Sequence, residues 1–246
     1  MADLTLAPPP ALAGGAALFL DFDGTLVELA ETPDSIRVSP ALPPLLQRLS
    51  AALKGRVAIV SGRAIEDLER HLNCQGIAVS GSHGLELRLR DGSHVPLAVP
   101  RGLDAARDKA AEFARTVPGL LVETKPFSIA LHYRKAPDEA EAVEAFMAKL
   151  AEAAGLTLQR GKMVVELRPP GADKGDALRA LMAEPEFAGA RPLFVGDDQT
   201  DEDAFEAAAE LGGGGILVGP SRATAAKWRL ADVASVAEWL EQAAPR

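Results

Sequence analysis

The chain has 246 residues, a formal net charge of -9, 48% hydrophobic residues and 25% charged residues. These values are typical of a globular protein with an ample core, and the length predicts one large domain or a domain with an insert. The negative charge argues against non-specific nucleic-acid binding, because no positive field attracts phosphate backbones. The single cysteine, Cys74, excludes an internal disulfide and favours a reducing compartment. The apolar run at residues 11–20 is too short to cross a bilayer.

Strands and helices alternate in the first part of the chain. A continuous apolar run at 16–20 stops at Asp21 and predicts a strand buried on both faces, as in a parallel sheet. A helix is predicted from Ser39-Pro40, with the serine as its cap and the proline at its first position. The other elements predicted here are strands at 56–60 and 77–80, a helix at 65–72 and a hairpin over 85–98.

The middle of the chain predicts an inserted domain. Apolar residues at helical spacing are followed by two strand-like runs, and this order occurs twice. A unit built from two such repeats can bury its own core. The predicted elements are helices at 103–117 and 137–154 and strands at 120–125, 127–134, 156–160 and 162–168.

Strand-helix alternation then resumes, with strands at 191–196 and 215–219 and helices at 174–183, 200–211 and 233–242. Alternation of this kind requires right-handed crossovers and a parallel sheet. We therefore predict an α/β fold with a doubly wound, Rossmann-like core. The core comprises 1–98 and 171–246, and the inserted α/β domain comprises 99–170.

A pair of aspartates follows the first predicted strand, in Asp21-Phe22-Asp23-Gly24-Thr25. Ligands of doubly wound sheets bind at the carboxyl ends of the strands. There the first carboxylate can attack phosphorus, and the second can protonate a leaving alkoxide and then deprotonate water. Gly24 allows a turn that brings amides toward phosphoryl oxygens. A calcium loop or a solvated turn is the alternative, because Asp and Gly both favour turns.

Cationic and hydroxyl groups follow at other strand and helix ends. Ser61 and Gly62 offer a hydroxyl and an amide to a phosphoryl oxygen, although Ser-Gly after a strand is often only a turn. Arg63 can contact phosphate or sugar, or lie on a helix surface. Lys174 opens a helix and can neutralise both a nucleophile and a phosphate, but most lysines lie in solvent.

An acidic segment, 197–203, contains five acids in seven positions. Such acids repel one another unless a cation or a helix N-terminus offsets their charge. Oxygen ligands without nitrogen or sulfur indicate a hard cation such as Mg²⁺. Glu202 and Asp203 are expected to be acids of a first helical turn, where the helix dipole favours them.

Together these motifs, in this order, resemble the haloacid dehalogenase superfamily of aspartate-nucleophile phosphatases. The resemblance implies that Asp21 is the nucleophile, Asp23 the general acid/base and Lys174 the neutralising cation. The implied phosphate site comprises Asp21, Gly24, Thr25, Ser61, Gly62 and Lys174. The implied ligands of Mg²⁺ are the Asp21 carboxylate, the Asp23 carbonyl and Asp197, with Asp201 in support.

The strands of the insert have two dissimilar faces. One is apolar and is expected to pack on the two helices. The other would present charged residues that can bind the hydroxyls of a sugar, although a solvated sheet face is the alternative. These residues are Glu123, Lys125, His132, Lys162 and Glu166.

Segments 60–63, 81–86, 161–169, 173–175 and 196–202 closely resemble the trehalose-6-phosphate phosphatase family. The resemblance implies hydrolysis of trehalose 6-phosphate, with the charged face of the insert on the sugar and with Arg63 and His83 also in contact with the substrate. A phosphatase for sucrose phosphate or mannosyl phosphoglycerate is the near alternative. A phospho-accepting receiver domain is the alternative from another class, although it needs neither an insert nor Asp23.

The expected protein is a cytoplasmic monomer that acts on a small-molecule sugar phosphate. We expect it to bind neither nucleic acid nor membrane, and to have a functional link to a trehalose-phosphate synthase.

Overall fold

The computed structural model describes residues 6–30, 36–95, 102–125, 127–161, 163–170 and 173–244. Before the insert, the elements are β1 (Ala16–Leu20), α1 (Leu42–Ala52), β2 (Val57–Val60), α2 (Ile65–His71), β3 (Ala78–Gly81), β4 (Glu86–Arg88) and β5 (His94–Val95). The insert contains α3 (Leu103–Thr116), β6 (Leu121–Thr124), β7 (Ile129–His132), α4 (Ala140–Ala154), β8 (Thr157–Gly161) and β9 (Val164–Arg168). After it come α5 (Lys174–Met182), β10 (Arg191–Gly196), α6 (Glu202–Glu210), β11 (Gly214–Val218), β12 (Trp228–Leu230) and α7 (Val233–Ala243).

The chain forms two compact units, one from Met1–Pro96 with Asp173–Arg246 and one from Leu97–Ala172. In the described part of the first unit, eight strands form one sheet in the order β12-β11-β10-β1-β2-β3-β4-β5. The six strands from β12 to β3 are parallel, and β4 and β5 add an antiparallel edge. The predicted doubly wound α/β core is confirmed.

Apolar side chains cover both faces of this sheet, which explains why its central strands are continuously hydrophobic. In β1, Leu18 and Leu20 join the core with α1, α2 and α7, whereas Ala17 and Phe19 join the core with α5 and α6. Each fully buried Leu or Phe stabilises the fold by roughly 1.5–3 kcal/mol. Two helical layers are therefore needed, one on each face.

Two details of this unit differ from the sequence predictions. Helix α1 begins at Leu42 rather than at Ser39-Pro40, because the Ser39 hydroxyl accepts the Ala41 amide in a local turn before the helix. The prolines at 43 and 44 then occupy the first turn, where amides have no helical partner anyway. Strand β12 was not predicted, because this edge strand is too short to show a periodic pattern.

The second unit is a four-stranded antiparallel sheet, in the order β6-β7-β9-β8, packed on α3 and α4. Its buried face carries Ile129, Leu131, Val165 and Leu167, as the alternation predicts. On the other face, register places Glu123, Ala130, Glu166 and Gln159 in one cross-strand row.

Among the helices in the described ranges, none combines the length and apolar character needed to span a bilayer.

Candidate active site

The strand order of the first unit reverses between β1 and β10, and the carboxyl ends of these two strands lie side by side. Such a switch point is where doubly wound sheets bind ligands. A cavity of about 240 Å³ lies there. Its lining residues are Asp21, Asp23, Leu29, Ser61, Gly62, Arg63, His83, Lys174, Asp197, Asp198 and Thr200.

A buried lysine joins two aspartates at the centre of the site. The Lys174 amine donates to Asp21 Oδ1 at 2.8 Å and to Asp201 Oδ1 at 2.6 Å. All three residues are at most 3% exposed. Helix α5 places the lysine at its first residue, and Asp173 caps that helix through the Asp176 amide. Sequence reasoning predicted this lysine beside the nucleophile, and the solvated alternative does not hold.

Two carboxylates share this one ammonium group, so a negative charge is left over. Burial raises the pKa of Asp21 well above its usual range, and the charge of Lys174 only partly opposes this. Burial would lower the pKa of Lys174, but the charges of Asp21 and Asp201 outweigh it and raise the pKa. The lysine therefore stays protonated, and a further cation would favour the ionised form of Asp21.

The carboxylates of Asp21, Asp197 and Asp201 offer oxygens that lie within 4.8 Å of one another. Burial, followed by the charges of Asp201 and Asp198, raises the pKa of Asp197 to about 6. Crowded acids of this kind are what a hard divalent cation neutralises. Gly24 makes the arrangement fit, because at its φ of +78° a Cβ would lie 2.2 Å from Asp197 Oδ2.

Asp201 is fixed by two partners. Its Oδ1 accepts a hydrogen bond from Lys174, and its Oδ2 accepts the Asp198 backbone amide at 3.0 Å. The Asp198 carboxylate in turn accepts the Thr200 backbone amide at 2.7 Å. Because Asp201 is fully buried and engaged at both oxygens, it fits the predicted supporting role better than that of a direct ligand.

Arg222 binds the main chain of the acidic loop, and it was not predicted from the sequence. It donates to the Asp198 carbonyl at 2.7 Å and the Asp197 carbonyl at 3.4 Å, and it forms an ion pair with Glu202. Glu202 also accepts the Ala225 amide at 2.7 Å. Glu202 does lie in the first turn of α6, as predicted, but it also fixes the 222–225 loop.

The loop after β3 has a strained backbone. Ser82 and His83 have φ of +50° and +57°, a left-handed conformation that costs non-glycine residues roughly 1–2 kcal/mol each. The Ser82 hydroxyl donates to Glu86, whose carboxylate also accepts the Ile65 amide at 3.3 Å. The His83 ring lies against Gly62, where a Cβ would lie 2.5 Å from it. His83 thus lies beside the predicted phosphate-binding Ser61-Gly62.

Arg63 lies against Asp23. Its Nε and Nη2 donate to the two Asp23 oxygens at 2.6 and 2.8 Å, and its Nη1 donates to Asp67 at 2.7 Å. The hydrogen bond with Asp23 is the main cause of the raised pKa of the guanidinium, which therefore stays charged. The expectation that Arg63 contacts phosphate or sugar stays a prediction.

Of the remaining residues predicted to bind phosphate, some line the cavity and others do not. Ser61 is buried, and its hydroxyl accepts the Arg63 amide at 3.2 Å. Thr25 is fully buried, and across the described ranges its hydroxyl has no hydrogen-bond partner. Thr25 and Gly24 are not among the described residues that line the cavity.

Within the insert, the predicted sugar-binding residues form two groups on one sheet face. The His132 ring lies 2.8 Å from a Glu123 oxygen. Lys125 donates to both Glu166 oxygens, at 3.1 and 3.2 Å, and the Ser128 hydroxyl donates to Glu166 as well. The fifth predicted member, Lys162, lies outside the described residues.

The chain matches the family model described as trehalose-phosphatase over residues 19–234, which is most of its length. It belongs to the trehalose-phosphatase family. A probable trehalose-phosphate phosphatase of Sinorhizobium fredii is 41% identical over 83% of this chain and 78% of its own. The trehalose-6-phosphate phosphatase of Escherichia coli is 37% identical over 96% of this chain and 89% of its own.

Solved structures agree with this family assignment. The C-terminal domain of a C. albicans trehalose-6-phosphate phosphatase superposes with a TM-score of 0.73, at 26% identity, over 96% of this chain and 98% of its own. A phosphatase of the haloalkanoate (HAD) superfamily from Bacteroides thetaiotaomicron, 18% identical, superposes with a TM-score of 0.67 over 94% of this chain and 95% of its own. The latter supports the fold alone. Family membership removes the receiver-domain alternative.

Proposed function

We propose that this chain hydrolyses trehalose 6-phosphate to trehalose and inorganic phosphate, with Asp21 as the nucleophile. The observation that carries the proposal is the buried Lys174–Asp21 pair at the carboxyl end of β1, in a chain of the trehalose-phosphatase family. The relatives from S. fredii and E. coli carry names for the same reaction, which supports the choice of substrate.

In the first step, an Asp21 carboxylate oxygen forms a bond to phosphorus while the bond from phosphorus to the sugar oxygen breaks. Asp23 gives its proton to the departing alkoxide, which leaves as trehalose. In the second step, Asp23 takes a proton from water, and the resulting hydroxide attacks phosphorus. The bond to Asp21 then breaks, which releases phosphate and restores both aspartates.

The groups around phosphorus stabilise the charge of the transferred phosphoryl. The Lys174 ammonium is fixed before the substrate binds, so it opposes developing charge without reorganisation. The hydroxyl of Ser61 and the amide of Gly62 lie at the same cavity and would hold phosphoryl oxygens. Gly24 and Thr25 would contribute through the turn that follows the nucleophile.

We further propose Mg²⁺ as the cation of this site. The Asp21 carboxylate, the Asp23 carbonyl and Asp197 would hold it, with Asp201 in support through Lys174 and the Asp198 amide. When bound, Mg²⁺ supplies Lewis-acid polarisation of phosphoryl oxygens and neutralises charge that Lys174 alone does not balance.

For sugar recognition we propose the polar face of the insert, with Glu123, Lys125, His132, Lys162 and Glu166 bound to hydroxyls of the disaccharide. Charge-assisted hydrogen bonds of this kind are roughly twice as strong as neutral ones, and they reject ligands that leave the charged groups unpaired. His83 would contact the substrate near the phosphate. Its place beside Gly62 supports that assignment.

The test is phosphate release with Mg²⁺ from trehalose 6-phosphate, sucrose 6-phosphate and mannosyl phosphoglycerate. Asp21→Asn should lower kcat at least ~10³-fold, since loss of a nucleophile removes the covalent route. Asp232→Asn is the matched control, because that aspartate caps α7 and lies outside the cavity lining. Preference for another sugar phosphate would replace the substrate and keep the mechanism. Activity that survives Asp21→Asn would refute the mechanism.

We also propose that the protein is a cytoplasmic monomer with a functional link to a trehalose-phosphate synthase. Its one cysteine, Cys74, allows no internal disulfide, which supports a reducing compartment. Light scattering after gel filtration tests the monomer, and co-purification with a synthase tests a direct contact.

A further inference from the structure

Both oxygens of the Asp23 carboxylate accept hydrogen bonds from a single guanidinium group. Arg63 Nε binds Oδ2 at 2.6 Å, and Nη2 binds Oδ1 at 2.8 Å. This bidentate geometry fixes the plane of a carboxylate as well as its distance, which a lysine ammonium cannot do.

The arginine is itself held at several points. Asp67 of α2 accepts its Nη1 at 2.7 Å, and the guanidinium carbon lies 5.8 Å from the centre of the Phe22 ring. Its backbone is fixed too, because its amide donates to the Ser61 hydroxyl and its carbonyl accepts the Ser82 amide at 2.7 Å. The Arg63 side chain is only 11% exposed, whereas that of Asp23 is 28% exposed. A largely buried, anchored cation thus holds a more exposed carboxylate, and both line the cavity.

We propose that Arg63 is a positioning residue that directs the Asp23 carboxylate toward the leaving-group oxygen, and that Asp67 anchors Arg63 for this task. A general acid must lie within hydrogen-bond distance of the oxygen that it protonates. Without this bidentate hydrogen bond, the Asp23 side chain would rotate more freely. Its carboxylate would then point toward the leaving-group oxygen for less of the time. The inference rests on the proposed role of Asp23 as general acid.

Dependence on the leaving group separates positioning from other roles of Arg63. A phosphate ester with a good leaving group, such as 4-nitrophenyl phosphate, releases its phenolate without a proton. Phenyl phosphate and 4-methoxyphenyl phosphate have poorer leaving groups, so they need general-acid assistance more. None of the three carries a sugar, and kcat/KM reports only the steps up to leaving-group release.

The experiment measures kcat/KM for these three esters and for trehalose 6-phosphate, with wild type, Arg63→Lys, Asp67→Asn and Asp23→Asn. For Arg63→Lys we expect a loss of less than ~3-fold with 4-nitrophenyl phosphate, growing to ~10-fold or more with the poorer leaving groups, within the 10²–10⁴-fold that general-acid catalysis supplies. Asp67→Asn should show the same trend at about a third of the size. Arg48→Lys, from an exposed Arg–Glu pair that does not line the cavity, is the control and should match wild type.

A uniform loss of kcat/KM across the aryl esters, or no loss, would overturn the inference. A loss confined to trehalose 6-phosphate would also overturn it, because it would make Arg63 a sugar contact. Asp23→Asn separates this outcome from failure of the proposed function. If Asp23→Asn shows the leaving-group trend and Arg63→Lys does not, only the positioning role fails. If Asp23→Asn lacks the trend, Asp23 is not the general acid. Melting temperatures of all variants check that each one folds.

Discussion

The two units of this protein place their charged residues in very different surroundings. In the first unit, the side chains of Lys174 and Asp21 are 4% and 5% exposed. In the insert, the side chains of Lys125 and His132 are both 33% exposed, and that of Glu123 is 49% exposed. Water weakens electrostatic interactions and screens exposed pairs, whereas a buried pair interacts strongly and tolerates no missing partner. The first arrangement suits chemistry at a fixed atom, and the second suits a ligand that must displace water and bind reversibly.

Removal of the buried amine should have the largest effect. Lys174→Met would leave Asp21 and Asp201 without their shared partner, and breaking a buried ion pair in this way costs about 3–5 kcal/mol. We expect kcat for trehalose 6-phosphate to fall at least ~10²–10³-fold, as it does when a preorganised electrostatic donor is lost. Urea denaturation and steady-state kinetics measure the two effects. The double variant Lys174→Met/Asp201→Asn should recover stability without activity, and recovery of activity would contradict the role of the lysine.

Removing Arg222, which binds the main chain of the acidic loop, should have the next largest effect. Arg222→Met removes the donor to the Asp197 and Asp198 carbonyls, and Glu202→Gln weakens its ion pair. Groups that orient metal ligands typically contribute ~10–100-fold to metal affinity. Calorimetric titration with Mg²⁺ should therefore show weaker binding by about that factor. Arg179→Met, which breaks a pair with Glu210 at the other end of α6, is the matched control. Unchanged Mg²⁺ affinity in Arg222→Met would mean that the loop keeps its shape without this clamp.

A substitution on the exposed sheet face of the insert should raise KM rather than lower kcat. Glu166→Ala releases Lys125 and Ser128, so we expect KM for trehalose 6-phosphate to rise ~10-fold with little change for 4-nitrophenyl phosphate. Glu144→Ala removes a different ion pair of the insert, between Glu144 of α4 and Arg160 of β8, and serves as control. Equal losses on both substrates would contradict sugar recognition by this face.

The smallest expected effect is a pH dependence of the stability of the metal-free protein. Burial and the neighbouring acids raise the pKa of Asp197 to about 6, whereas an unfolded aspartate titrates near roughly 3.9. Between these values the folded state binds more protons, so this group makes the protein more stable as the pH falls from 7 toward 5. We expect a gain of at most ~1 kcal/mol, after allowance for partial exposure.

Urea denaturation in EDTA at pH 7, 6 and 5 measures this gain as the difference between wild type and Asp197→Asn. Mg²⁺ should stabilise wild type more at pH 7 than at pH 5, because it binds ionised carboxylates. A difference that does not vary with pH would contradict the crowding of acids around Asp197.

Sequence patterns predicted which polar groups meet at the cavity, because a parallel sheet brings distant strand ends together. Asp21, Ser61 and Asp197 each follow a buried strand, so their meeting required only the order of the strands. The place of Lys174 beside Asp21 was implied by the family resemblance, because a lysine at a helix start is by itself more often solvated.

Contacts that depend on side-chain direction were not predictable in this way. The clamp of Arg222 on the acidic loop joins a loop after β11 to the start of α6, and neither segment has a periodic pattern that indicates it. The Arg63 fork on Asp23 depends on which way an arginine turns after β2, and a single sequence allows phosphate, sugar or aspartate as its partner. The predicted start of α1 was a few residues too early, because Ser39 forms a local turn with the Ala41 amide and the prolines of the first turn are 43 and 44 rather than Pro40.

The central pair of strands also determines when this protein can complete its fold. Ala16 of β1 pairs with Arg191 of β10, and the whole insert lies between them in the sequence. The strand pairings of the insert all fall within 121–168, so they can form while the ribosome is still making the rest of the chain. The strands β1 to β5 can pair before the insert is made, but the sheet cannot be completed until β10 is made, and contacts so distant in sequence form slowly. Asp21 is therefore made before Lys174, Asp197 and Asp201, and the site they form cannot assemble until β10 has been made.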